Sequence, residues 1–115
     1  MPIIEVLSAR TPPDEFFSYL NLKASELLGI VSERVWISWD RGSSRILFRP
    51  GMLEEDGPIV FVHCKQSYAD DQVISLIGLI RECLEQMCNF EPDSIYIAVH
   101  RVQKNHLFSF NQLWR

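Results

Sequence analysis

The opening residues of this chain return fifty-six positions later: Pro2-Ile3-Ile4-Glu5-Val6 is answered by Pro58-Ile59-Val60-Phe61-Val62. A short apolar run opened by proline reads as the start of a strand, where the missing N–H breaks no ladder bond. The correspondence continues at the same offset. Phe17, Leu20, Ala24, Leu27 and Leu28 match Val73, Leu76, Ile80, Cys83 and Leu84, each set spaced along one face of an amphipathic helix. Beyond the helix the offset grows to sixty, so that Arg34-Val35-Trp36-Ile37-Ser38 matches Ser94-Ile95-Tyr96-Ile97-Ala98. An insertion of four residues near Asn89-Phe90-Glu91-Pro92 accounts for the change. Strand, helix face and strand recurring together point to one β-α-β unit used twice.

Within each unit the boundaries follow from local chemistry. Residues 3–7, 35–39, 59–63 and 94–98 are predicted strands. Thr11-Pro12-Pro13-Asp14 predicts the start of the first helix and Gly29 its end. Ser67, with Asp70 three residues on, predicts the start of the second. Asp40 to Ser43 reads as a turn, residues 45–49 as a short returning strand, and Pro50 to Gly57, with Glu54-Glu55-Asp56, as a solvated loop. Right-handed crossovers make the two strands of each half parallel. The expected architecture is α+β: a four-stranded sheet with two helices on one face, plus a short hairpin and tail strands. It forms a single domain, 1–115, from repeats at about 2–50 and 58–110. A ferredoxin-like arrangement, in which the strands of each half are not neighbours, is the competing topology.

A sheet covered on one face only leaves Trp36, Trp39, Phe48 and Phe61 without enough helix to cover them, which implies contact between subunits. The tail, with Leu107, Phe108, Phe110, Leu113 and Trp114, is rich for a free terminus and must dock on its own domain or on a neighbour.

Composition narrows the function. A net charge of −4 with no basic run excludes nucleic acid as an expected partner. No apolar run approaches the roughly 20 residues that cross a bilayer, and the N-terminus lacks signal-peptide regions. A cytoplasmic location is expected. Cys64, Cys83 and Cys88 are odd in number and have no metal-ligand spacing, so they read as small apolar fillers in a reduced compartment. His63, His100 and His106 include no pair three or four apart on a helix, so neither a metal nor any other cofactor is expected.

Chemistry concentrates at Pro2. Removal of Met1 would make it a free secondary amine at the mouth of a buried strand, hence a base. An unperturbed α-amino group titrates near pH 7.7–8.0, and an apolar setting lowers that value by disfavouring the charged form.

Met1-Pro2-Ile3-Ile4, the duplicated β-α-β plan, the chain length and Pro92-Asp93-Ser94-Ile95-Tyr96-Ile97 together resemble the tautomerase superfamily, whose members include 4-oxalocrotonate tautomerase and macrophage migration inhibitory factor. The resemblance implies a homotrimer with pockets between subunits, and Pro2 as the general base that moves a proton between carbon and oxygen of a keto-enol substrate. It makes Arg10 a substrate-binding arginine and Tyr96 a pocket tyrosine. Trp36 stands where some relatives place an arginine, and Ala98 where the inhibitory-factor group has an asparagine. Ile30 and Val31 replace a lysine after the first helix. His63-Cys64-Lys65-Gln66 replaces a glycine-rich stretch, and Lys65, Arg41 and Arg101, near predicted strand ends, are candidate cations among which nothing selects. A trimeric binding module of the same fold, without catalysis, is the second functional reading, and a ferredoxin-like ligand sensor the third.

Overall fold

The computed structural model describes residues 2–42 and 57–113. Strand β1 (Ile3–Leu7) leads to helix α1 (Phe16–Leu28), a 3-10 turn (Ser32–Arg34) and β2 (Trp36–Asp40). The plan then repeats as β3 (Ile59–Lys65), α2 (Asp70–Gln86), a 3-10 turn (Pro92–Ser94) and β4 (Tyr96–Val102), followed by a small hairpin of β5 (Phe108–Ser109) and β6 (Gln112–Leu113). Among the described residues no helix is long and apolar enough to cross a membrane.

The four longer strands form one sheet in the order β2-β1-β3-β4. β1 pairs parallel with β2, β3 pairs parallel with β4, and β1 and β3 meet antiparallel at the centre. The strands of each half are therefore neighbours, and this pairing order overturns the ferredoxin-like alternative. The repeat reappears as a matched pair of hydrogen bonds, from Trp36 N–H to the Pro2 carbonyl and from Tyr96 N–H to the Pro58 carbonyl, both 3.1 Å.

One face of the sheet is the core. Ile4, Val6, Val60 and Val62 lie fully buried against Phe16, Leu20 and Ala24 of α1 and Leu76, Ile80 and Leu84 of α2. Each such side chain contributes roughly 1.5–3 kcal/mol by leaving water. The alternating burial of β1 puts Ile3, Glu5 and Leu7 on the other face, where Trp36, Phe61 and Tyr96 stay 46%, 37% and 49% exposed.

Several local expectations shift. The first helix starts at Phe16, not at Thr11, after a turn closed by Phe16 N–H on the Pro13 carbonyl. Two successive prolines hold Thr11 and Pro12 away from helical backbone. Its inner face then carries Phe16, while Phe17 is 37% exposed, because Phe16 meets Trp39 edge-on at 5.2 Å. Trp39 correspondingly packs under the helices and does not belong to the bare face. Ser67 does not cap the second helix; the Gln72 side chain instead accepts the Ala69 N–H at 3.0 Å. Gly29 does end α1, at φ 67°, with Ile30 N–H closing on the Ser25 carbonyl. The strands begin or end up to four residues from their expected limits, β4 running on to Val102. The expected strand at 45–49 with Phe48, the acidic loop before Gly57, and Trp114 lie outside the described residues.

Candidate active site

Pro2 is buried at the head of β1, its carbonyl held by the Trp36 amide. The antiparallel register sets Ile3 opposite His63, so the C-terminal end of β3, with Cys64 and Lys65, flanks the same end of the sheet. Arg34 arrives there just ahead of β2. Tyr68 closes the turn after β3 through its amide bond to the Lys65 carbonyl, 3.4 Å. Burial raises the Tyr68 phenol above its ordinary pKa, the Cys64 thiol beside it adds to the rise, and Arg34 opposes it. The Pro2 end of one chain thus gathers three of the predicted residues, Pro2, Trp36 and Lys65, with Arg34 and Tyr68 beside them.

Arg10 and Tyr96 lie at the opposite end. Tyr96 pairs with Ile59, which is level with Leu7, four residues along the sheet from the Ile3 row. At about 3.3 Å per residue that separation is about 13 Å. Arg10 lies beyond Leu7, where its guanidinium donates to the carbonyls of Cys88 and Asn89, at 3.4 and 3.5 Å, and sits 4.2 Å above the Phe90 ring. These carbonyls lie in the turn just after α2 (Asp70–Gln86), where a cation also faces the C-terminal end of the helix. The Arg10 carbonyl accepts the Trp39 indole N–H at 2.8 Å. Within one chain, then, the five predicted residues divide into two groups at opposite ends of the sheet. Of the other candidate cations, Arg101 pairs with Asp70 at 2.8 Å, and Arg41 donates to the Ala9 carbonyl at 3.3 Å.

Three features escaped the sequence reading. Arg34 was read only as the residue before a strand, yet its guanidinium stands 4.8 Å over the Phe110 ring. Phe110, at φ 51° in the turn of the terminal hairpin, also approaches Trp36 to 6.2 Å. The aromatic richness of the tail was the visible signal; its docking on the same chain, at the Pro2 end, was not. Third, the three histidines, dispersed in sequence, line one cleft. Among the described residues no three His, Cys, Asp or Glu side chains form a group able to hold a metal ion. The cysteines are free, and burial pushes the thiols of Cys83 and Cys88 up to about 11.

No protein-family model and no curated protein matches the chain. Solved structures do. A fused wild-type 4-OT described as an asymmetric trimer superposes with a TM-score of 0.82 at 16% identity, covering 96% of this chain and 94% of that one. The macrophage migration inhibitory factor of Oncomelania hupensis gives 0.78 at 18% identity over 100% of this chain and 83% of its own. A homologue of that factor from Prochlorococcus marinus gives 0.74 at 19% identity over 98% and 99%. At these identities the likeness establishes the fold, which is that of the tautomerase superfamily.

Proposed function

On the premise of a tautomerase-superfamily fold, we propose that this chain is a cofactor-independent tautomerase-like protein in which Pro2, freed by removal of Met1, is the base. The observation that carries the reading is the place of Pro2: buried at the head of a central strand, with a cation from Arg34 or Lys65 at the same end of the sheet. Burial keeps a secondary amine neutral near physiological pH. A neutral amine takes the proton next to a carbonyl, and a cation or donor meets the charge that develops on oxygen.

Tyr96 and Arg10 reach such a site only from another copy of the chain. The exposed aromatic face of the sheet favours self-association, and a homotrimer brings the far end of one sheet to the Pro2 end of the next. Trp36 takes the place of an arginine, so it shapes the pocket and does not bind charge. Free thiols suit the reducing cytoplasm.

Intact-mass spectrometry of untagged protein, followed by deuterium exchange into a phenylpyruvate-type enol, tests the reading. A mass lacking Met1, with exchange that vanishes in Pro2→Ala, supports it. Retained Met1 defeats it, because an amide nitrogen delocalised into its carbonyl is no base. One observation favours the second reading, a binding module: Arg10 is engaged at the end of α2. A free Pro2 without exchange on a panel of enols would select it.

A further inference from the structure

We propose that the cleft lined by His63, His100 and His106 is a binding site for a small oxyanion. The inference does not depend on proton transfer by Pro2.

The cleft has a volume of about 390 Å³ and holds every histidine of the chain, together with Arg101. Two separate pieces of folding build it. Parallel pairing of β3 and β4 sets His63 directly beside His100, their rings 5.7 Å apart. The chain then leaves β4 through a tight turn, with His106 N–H on the Gln103 carbonyl at 2.9 Å and Asn105 at φ 70°. That left-handed residue, tolerated by asparagine, brings His106 back to the strands it has just left.

Among the described residues no carboxylate lines the cleft, in a chain of net charge −4. Glu5, on β1, stands beside it with an oxygen 3.5 Å from His63 Nε2. Asp70, on α2, is drawn to Arg101 at 2.8 Å. Among the described residues, Lys65 on β3 and Lys104 in the turn flank the lining residues in sequence. Neutral imidazoles donate hydrogen bonds to an anion. The donors that line the cleft, three imidazoles with the Arg101 guanidinium and the Gln103 amide, fit an anion with several acceptor oxygens.

Sulfate is the suitable probe, since it offers four acceptor oxygens to the donors of the cleft. Proton NMR of the three imidazoles, at constant ionic strength with chloride as the balancing ion, reports binding directly. We expect saturable shifts of all three imidazoles, since all three line the same cleft. The exposed substitution His106→Gln, and His100→Gln, should each weaken binding at least about threefold while the remaining imidazole spectrum stays folded. Non-saturable shifts, shifts equal to those produced by chloride, or unchanged affinity in both variants would overturn the proposal.

Discussion

The carbonyl of Pro2 accepts the amide hydrogen of Trp36 at 3.1 Å, and this single bond ties the head of the central strand to the head of the edge strand. Its twin, between Tyr96 and Pro58, lies at the other end of the sheet. The two prolines share this backbone role, and under the proposed removal of Met1 Pro2 is the one that carries a free amine.

That difference sets a control for catalysis. In protein lacking Met1, Pro2→Ala is expected to lower enol proton exchange by about a hundredfold or more, the usual contribution of a positioned base. Pro58→Ala is expected to keep exchange within a few-fold. Parallel deuterium-exchange assays on the two variants check this.

Arg10 binds two carbonyls at the end of α2 and covers Phe90. Arg10→Ala should destabilise the fold by about 1–2 kcal/mol, the sum of an end-of-helix cation and a cation-π contact. Arg10→Lys should restore only part of that, since a point charge does not stack. Urea unfolding midpoints of the three proteins give the answer.

Gly57 lies against Ser94 so closely that a Cβ there would stand 2.6 Å from the Ser94 carbonyl oxygen. The obstacle is backbone and cannot rotate away. Gly57→Ala is expected to cost about 2–3 kcal/mol through strain, measured by the same unfolding assay.

Burial holds the Cys83 and Cys88 thiols up to about 11, so both stay protonated in the folded chain when an unfolded thiol, near 9, has begun to ionise. The unfolded state therefore loses protons first, and stability should fall as pH rises from 9 toward 11. Unfolding midpoints taken across that range should drop less in the Cys83→Ala, Cys88→Ala double variant.

Phe61 occupies the middle of the open face, 6.5 Å from Tyr96 and 37% exposed. Sedimentation equilibrium should return three times the 13.4 kDa chain mass for the parent protein and a smaller species for Phe61→Glu, which sets a charge where a neighbour would pack. An unchanged mass in the variant would remove this face from the interface.

The plan of the fold was legible because it rests on periodicity, which a sequence states directly. Proline-led apolar runs, two helix faces in step and Gly29 yielded both β-α-β units and the parallel pairing within each. Phase was not legible. Both Phe16 and Phe17 could begin an inner face, and the choice fell to Phe16 because Trp39 offers its ring edge on that side. The start of α1 escaped for a related reason, since Thr11 has cap chemistry but lies before two prolines that exclude helical backbone.

The candidate site divides along the same line. Sequence by itself marked Pro2 as the proline to test, and determined that the chain repeats and that its tail must dock somewhere, because composition, order and spacing are local properties. Only tertiary structure decided that Arg10 serves the end of α2, that Phe110 meets Trp36 and Arg34, and that three scattered histidines share a cleft. Those outcomes depend on strand register and on one left-handed turn, which join residues dozens of positions apart; no local pattern encodes such distances, because they are set by how the two halves pack.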